Sequence, residues 1–473
     1  MVRQIVLGDC IDRLMNDVEA GSVDLVYLDP PFFSNRQYEV IWKDRFETAS
    51  FRDRWEGGIE TYVSWLVDRL RVCHRVLKDT GVLVCHLDWH SSHYIKVELD
   101  RLFGYSHFVN EIVWRRIQAP KGMNPTSFDV ADDRLLVYRK GEKYTFNVQY
   151  RPLDKYEVEK TFPSVDAAGR RYSTRPLIAS NTQGGKSPMY EYKGFTPPRR
   201  WLMTEENLRE IDRKGRIHWP DREGGLPRQI QYADESKGKR IDTVWNDIKP
   251  IPSQSKERMG YPTQKPLALL ERIIKTFTTN DSLVLDPFCG CGTTIHAAHR
   301  LHRNWIGIDV SPVAVDLMRR RLVEHENLMA GRDFTIEGIP TSEDSLLEMN
   351  PTQFADWCCQ RLGGTPNPVR VGDMGVDGWD RDGDPIQVKQ HKKAIGRNVV
   401  DNFNAAIRRE GKTKGSIVAL SFGKGARGEA ARLLREEGLE IVLVEATDLL
   451  SEQEKSFQEF LSNHDFGLGR WVS

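Results

Sequence analysis

Apolar and polar positions alternate along this chain in two regular stretches separated by a long irregular one. In the first stretch, residues 2–7 and 23–28 read as short strands, with a helix over Ile11–Val18 between them. Thr61–Leu77 carries helical apolar spacing at Val63, Leu66, Val67, Leu70 and Val76. Gly81–Leu87 reads as a strand and Tyr94–Phe103 as a helix. From about Ile117 to Pro252 the pattern breaks into short elements rich in Gly, Pro, Tyr, Trp and Arg. Order then returns as helix Leu267–Thr276, strand Ser282–Leu285, helix Thr293–Leu301, strand Trp305–Ile308 and helix Pro312–Glu326. Strands alternating with helices predict a parallel α/β sheet, interrupted by an insertion. A second α/β pattern follows. It has helices at 351–362, 398–409 and 426–436, and strands near 368–372, 385–390, 416–421 and 440–444.

Composition narrows the class. With 473 residues, the chain is long enough for several domains. No apolar run reaches the ~18–20 residues of a membrane span, and no signal peptide is visible. The 7 cysteines lack disulfide-framework spacing and suit a reducing compartment. Net charge is zero, yet residues 115–258 hold 29 Lys and Arg against 20 Asp and Glu. That excess suits phosphates as well as it suits an ordinary solvated surface.

Two strand ends carry candidate chemistry. Asp29-Pro30-Pro31-Phe32 follows the strand 23–28. Asp29 and the Pro30 carbonyl can accept both N–H bonds of an exocyclic amine, favouring a pyramidal, nucleophilic nitrogen. Pro31 stiffens the turn, and Phe32 offers a stacking face. Asp286-Pro287-Phe288-Cys289-Gly290-Cys291-Gly292 follows a second strand and opens a helix. Gly290 and Gly292 would let a ligand approach the backbone, and the helix N-terminus offers free N–H groups. Asp309, ending the next strand, is placed to accept from two ribose hydroxyls. The loop does not match the Gly-x-Gly-x-x-Gly of NAD-binding folds.

Together these motifs resemble the circularly permuted β group of amino-methylating DNA methyltransferases. Leu87-Asp88-Trp89-His90, Leu99–Gly104, Tyr190–Gly194 and Ser255–Gly260 sharpen the resemblance to modification subunits of type III restriction systems, over roughly residues 2–326. The resemblance implies a Rossmann-like fold that binds S-adenosylmethionine through Asp286, Phe288, Gly290, Gly292 and Asp309. Thr263 and Lys265, in Tyr261-Pro262-Thr263-Gln264-Lys265-Pro266, would sit at the cofactor's methionine end, and Asp9 near its adenine. Asp9 can equally be a helix N-cap. An Asp-first motif usually accompanies adenine N6, and a Ser-first motif cytosine N4. No cysteine follows a proline, so carbon-5 methylation is excluded. His86, His90 and His93 fit no strong metal template. Tyr190, Tyr192, Phe195, Trp201, Trp219 and Tyr232, interleaved with arginines, are candidates either for target recognition or for packing a small subdomain.

In the C-terminal segment Asp377 precedes Gln387-Val388-Lys389 on a strand. Gln387 and Lys389 share a face, and with Asp377 they could hold Mg²⁺ and orient a water. Gly375-Val376-Asp377-Gly378 with this strand resembles the Mrr-like branch of the PD-(D/E)xK nuclease fold. The acid usual after a phenylalanine on the first helix is absent, since Ala355 follows Phe354 and Asp356 is the nearest substitute.

The expectation is an adenine-N6 methyltransferase of double-stranded DNA occupying residues 1–335, with target recognition at about 118–252. A linker at 336–350 and a nuclease-like domain at 351–473 follow. Cytosine N4 methylation, a single-chain restriction–modification enzyme and a non-catalytic DNA-binding protein are the alternatives. A cytoplasmic, prokaryotic or phage-encoded protein is expected, with a homodimer left open.

Overall fold

The structure is a computed structural model. It describes residues 2–33, 37–41, 48–52, 57–117, 126–180, 188–220, 222, 224–252, 254–255, 257–259, 261, 263–340, 342–367 and 375–450. The strand expected near 368–372, and Lys256, Gly260 and Pro262 of the motif segments, lie outside these residues.

The main sheet has nine strands: β1 (Arg3–Leu7), β2 (Val23–Leu28), β3 (Leu77–Leu87), β4 (Phe108–Arg115), β5 (Asp132–Arg139), β6 (Val244–Trp245), β7 (Leu283–Asp286), β8 (Asn304–Asp309) and β9 (Thr335–Glu337). Their spatial order is β6-β4-β5-β3-β2-β7-β8-β1-β9. The helices named below are α1 (Cys10–Asn16), α2 (Gly58–Val76), α3 (Ser92–Phe103), α4 (Leu267–Phe277), α5 (Thr293–Arg300) and α6 (Pro312–Glu326). Strands β2 and β7, far apart in sequence, pair in parallel at the centre. Their carboxyl ends bring Asp29 and Asp286 to the same edge of the sheet, the usual ligand edge of an open α/β sheet. Below that edge Leu25, Val26, Leu83, Val84, Val284 and Leu285 are fully buried. At ~1.5–3 kcal/mol for each large aliphatic side chain, this burial is the main force holding the edge in place.

The sheet is mixed, where the sequence pattern predicts a parallel one. Strand β5 runs antiparallel to both β3 and β4. Its Leu135-Leu136-Val137-Tyr138 run is buried, but it is short and sits between charged residues inside the irregular stretch. Among the described residues no helix lies between β4 and β5, and the two strands pair antiparallel. Within the expected insertion, residues 148–242 form a second compact unit.

That unit has a four-stranded antiparallel sheet and a helix at Glu205–Arg213. Tyr192, Trp201, Leu177 and Leu208 form its core, with Tyr190, Phe195 and Trp219 packed against them. Tyr190 stacks on Trp201 at 5.4 Å. Arg170 and Arg216 lie 3.8 and 4.4 Å from the Tyr232 ring and pair with Glu235. The aromatics of this segment therefore pack the subdomain.

The C-terminal region forms a five-stranded sheet of Thr365–Pro366, Gly378–Trp379, Pro385–Lys389, Lys414–Ala419 and Glu440–Glu445 in sequence order. The first three run antiparallel and the last three parallel. Helices at Pro351–Arg361, Arg397–Arg409 and Lys424–Glu437 match the expected pattern. Among the described residues, no helix is long and apolar enough to cross a membrane.

Candidate active site

A cavity of about 320 Å³ opens at the carboxyl ends of β2, β7 and β8. Asp9, Asp29, Asp286 and Asp309 line it, against the cations Arg69 and Lys265. Four acids facing two bases leave a surplus of negative charge, which favours a cationic ligand.

Asp29 follows the last residue of β2. Lys265 Nζ donates to its Oδ2 at 2.5 Å, joining residues 236 positions apart. Its Oδ1 is buried and has no hydrogen-bond partner among the described residues. Such an oxygen is costly to bury and ready to accept an N–H. Tyr62 Oη donates to the Pro31 carbonyl at 2.7 Å and anchors the turn. The turn ends with Phe33 at φ 64°, in the left-handed region a non-glycine residue seldom adopts. Phe32 packs against the His86 ring, 5.8 Å between centroids and 29° between planes. His86 is fully buried and lies between Tyr27 Oη at 2.9 Å and Asp133 Oδ2 at 3.2 Å. Burial works against the Asp133 carboxylate, yet the hydrogen bond and charge of His86 hold it below the usual carboxylate range.

The second wall comes from β7, β8 and the loop before α5. Asp286 is buried, which pushes its carboxyl up to about 7 against the pull of bonds from Thr294 and the Phe288 N–H. Burial likewise raises Asp309 to about 6. Its two oxygens accept the N–H groups of Gly290 at 2.8 Å and Ser311 at 2.9 Å. Each oxygen keeps a lone pair for a hydroxyl donor. Gly290 and Gly292 have positive φ, and the space beside them is filled by protein. A Cβ on Gly290 would meet the Tyr261 ring at 3.1 Å, and one on Gly292 would meet Met318 Cγ at 2.8 Å. Turn conformation and packing thus account for glycine at both positions.

Asp9 serves as the α1 N-cap, accepting from the Ile11 N–H at 2.8 Å, and also pairs with Arg69 at 2.6 Å. Arg69 lies 4.1 Å from the Trp65 ring centroid. Thr263 lines the cavity. Asp9, Thr263, Lys265, Asp29–Phe32, Asp286, Phe288, Gly290 and Asp309 thus share one cavity. Gly292 stands behind it as the α5 N-cap. Sequence reasoning missed Tyr27, Trp65, Arg69 and the His86–Asp133 pair. Arg69 had a signal: it falls on the apolar stripe of α2, between the buried Leu66 and Leu70 and Cys73.

His90 Nδ1 bonds Asp88 Oδ2 at 2.7 Å, and among the described residues His86, His90 and His93 belong to no group of side chains placed to hold a metal. In the C-terminal sheet, Asp377 Oδ2 accepts the Val388 N–H at 2.8 Å. Gln387 Nε2 donates to the Gly375 carbonyl at 3.1 Å, while its Oε1 is buried without a hydrogen-bond partner. Lys389 is half-buried on the same strand.

A mixed α/β sheet with an acid-lined cavity at the carboxyl ends of its central strands is the frame of this site, and the chain belongs to the DNA methylase family, which matches residues 23–320. Residues 346–452 match a restriction endonuclease family. The chain is similar to the type II methyltransferase M.EcaI of Enterobacter cloacae, 33% identical over 321 residues, 66% of each chain. It is 27% identical over 325 residues to the StyLTI Mod subunit of a type III restriction-modification enzyme of Salmonella typhimurium LT2, covering 62% of this chain and 49% of that one. A DNA adenine methyltransferase of Escherichia coli K12, YhdJ, is 24% identical over 327 residues, 68% of this chain and 82% of that one. The chain thus spans about two thirds of the first relative's length and about half of the second's.

Proposed function

We propose that the protein transfers a methyl group from S-adenosylmethionine to adenine N6 in double-stranded DNA. The observation that carries this reading is the buried, unpartnered Oδ1 of Asp29 at the mouth of a cavity rich in carboxylates. S-adenosylmethionine, when bound, supplies a methyl group on a positively charged sulfur, and the surplus of acids suits that charge. Asp309 offers acceptors to its ribose, and Arg69 with Asp9 borders the same cavity. Asp29 Oδ1 takes one N–H of the target amine, with the Pro30 carbonyl for the other. Phe32, backed by the His86 ring, gives the base a face. The chemistry then needs alignment and no covalent enzyme intermediate.

The Asp-first motif and the adenine methyltransferase among the relatives support adenine. Cytosine N4 is the second reading, because its amine presents the same two N–H bonds. Mass spectrometry of digested, modified duplex decides between them: N6-methyladenine is expected, and N4-methylcytosine would overturn the assignment. Target recognition is assigned to the unit 148–242, and Mg²⁺-dependent cleavage to Asp377, Gln387 and Lys389. The partner is double-stranded DNA.

A further inference from the structure

We infer that Lys265 is a positioning residue for Asp29, holding one carboxylate oxygen so that the other is left for the target amine. The inference rests on the methyltransferase reading and replaces the cofactor contact that the motif around Lys265 suggests.

Four observations carry it. Lys265 Nζ donates to Asp29 Oδ2 at 2.5 Å and reaches the Thr263 carbonyl at 3.4 Å, which fixes the ammonium from two directions. Lys265 is 9% exposed, so the ammonium is largely withdrawn from water. Among the described residues Asp29 is its only salt-bridge partner. Removing either partner would strand a buried charge, so the pair is the resting state of the site. Lastly, the two oxygens of Asp29 differ: Oδ2 is taken and Oδ1 is buried without a partner. A carboxylate free to rotate would present either oxygen, in a range of directions. One clamped through Oδ2 presents Oδ1 in a single direction.

Lys265 Nζ also stands 4.9 Å from the centroid of the Phe32 ring. One ammonium therefore orders both parts proposed to meet the base, the acceptor and the stacking face. It comes from the segment just before α4, whereas Asp29 and Phe32 follow β2. The lysine thus ties the amine-holding turn to the half of the sheet that carries Asp286 and Asp309.

The test separates positioning from cofactor binding. Affinity for S-adenosylhomocysteine is measured by calorimetry, and methyl transfer to duplex DNA in a single turnover, for wild type, Lys265→Met and Lys265→Arg. If Lys265 positions Asp29, Lys265→Met lowers the transfer rate about 10²-fold, the loss expected of a misplaced catalytic group. Affinity for S-adenosylhomocysteine should then stay within about threefold. Lys265→Arg keeps the charge and should recover at least about tenfold of the lost rate. Three results would overturn the inference: unchanged transfer in Lys265→Met, an affinity loss that accounts for the whole rate loss, or no recovery in Lys265→Arg while that variant binds S-adenosylhomocysteine normally. If Lys265→Met does not fold, Lys265→Gln takes its place, with the same expected loss and the same three overturning results. Failure of wild type to bind S-adenosylhomocysteine would instead remove the methyltransferase reading beneath it.

Discussion

Asp29 and Asp377 are the acids proposed to lead the two sites of this protein, and the structure engages them differently: a lysine side chain holds one oxygen of the first and a backbone N–H one oxygen of the second. Asp29 keeps a buried charged oxygen without a partner, while Asp377 Oδ2 is engaged by the backbone of Val388. In the C-terminal sheet the buried oxygen without a hydrogen-bond partner belongs to Gln387 and is neutral. The contrast teaches that position at a strand end does not decide what an acid can do. What decides it is which of its lone pairs the fold has already used. As proposed, the first site would offer a carboxylate oxygen to a proton donor, and the second would offer a cation one neutral carbonyl beside a partly committed carboxylate.

The sharpest way to break this contrast is Asp29→Ala. Loss of the amine acceptor should reduce methyl transfer by at least about 10²–10³-fold. Binding of S-adenosylhomocysteine, measured by calorimetry, should change little. Equal activity of wild type and variant on duplex DNA would show that the open oxygen has no role in the chemistry.

Asp309→Ala should act on the other side of the cavity. Bonds to a charged group are worth ~1.5–3 kcal/mol, so cofactor affinity should fall about 10- to 100-fold. Unchanged affinity would place the ribose elsewhere. In the C-terminal site, Gln387→Glu converts the neutral oxygen into a charged one. Mg²⁺ affinity, read by titration of the full chain, should rise about tenfold if Asp377 and residue 387 share a cation. No change would separate them.

The smallest effect concerns stability. Burial raises the Asp286 carboxyl to about 7, above the ordinary 3.8. The folded protein therefore holds this proton more tightly than the unfolded chain, and its contribution to stability is lost as pH rises from about 4 through 7. Asp286→Asn removes the titration while keeping an oxygen for the Phe288 N–H. The variant's Tm relative to wild type should be higher at pH 8 than at pH 5 by roughly 2–6 °C. A difference independent of pH would mean that the carboxyl titrates normally.

Much of this was legible in the chain. The motif acids fall at strand ends because short apolar runs stop at a charged residue, as at Leu28-Asp29 and Ile308-Asp309. The helices were visible through their apolar spacing. Strand β5 was not, because four apolar residues between Asp133-Arg134 and Arg139 carry too little periodicity to stand out from a loop. The partners of the site acids were hidden for a different reason. A pair such as Lys265 and Asp29 arises only when β2 and β7 align, and neither residue has a local signal of the other. The aromatics at 190–219 could be read either way, because a ring that packs a subdomain and one that meets a base look alike in sequence. Tyr192 and Trp201 are buried in the subdomain core, and Tyr190, Phe195 and Trp219 are half-buried against them.

The order of strands in the main sheet has a consequence for synthesis. Strand β1 waits for β8 at residues 304–309 and β9 at 335–337 before it is paired. Strand β2 pairs β3 on one side and waits for β7 on the other. A ribosome must therefore deliver almost the whole methylase region before any of its cavity exists, and until then the early strands expose unpaired edges that chaperones would have to cover. Strand Pro385–Lys389 and the rest of the second sheet emerge after that closure. At ~5–20 residues per second, the first sheet has several seconds to close before the second can form. The methylase region of each newly made molecule would thus be complete before its second sheet exists.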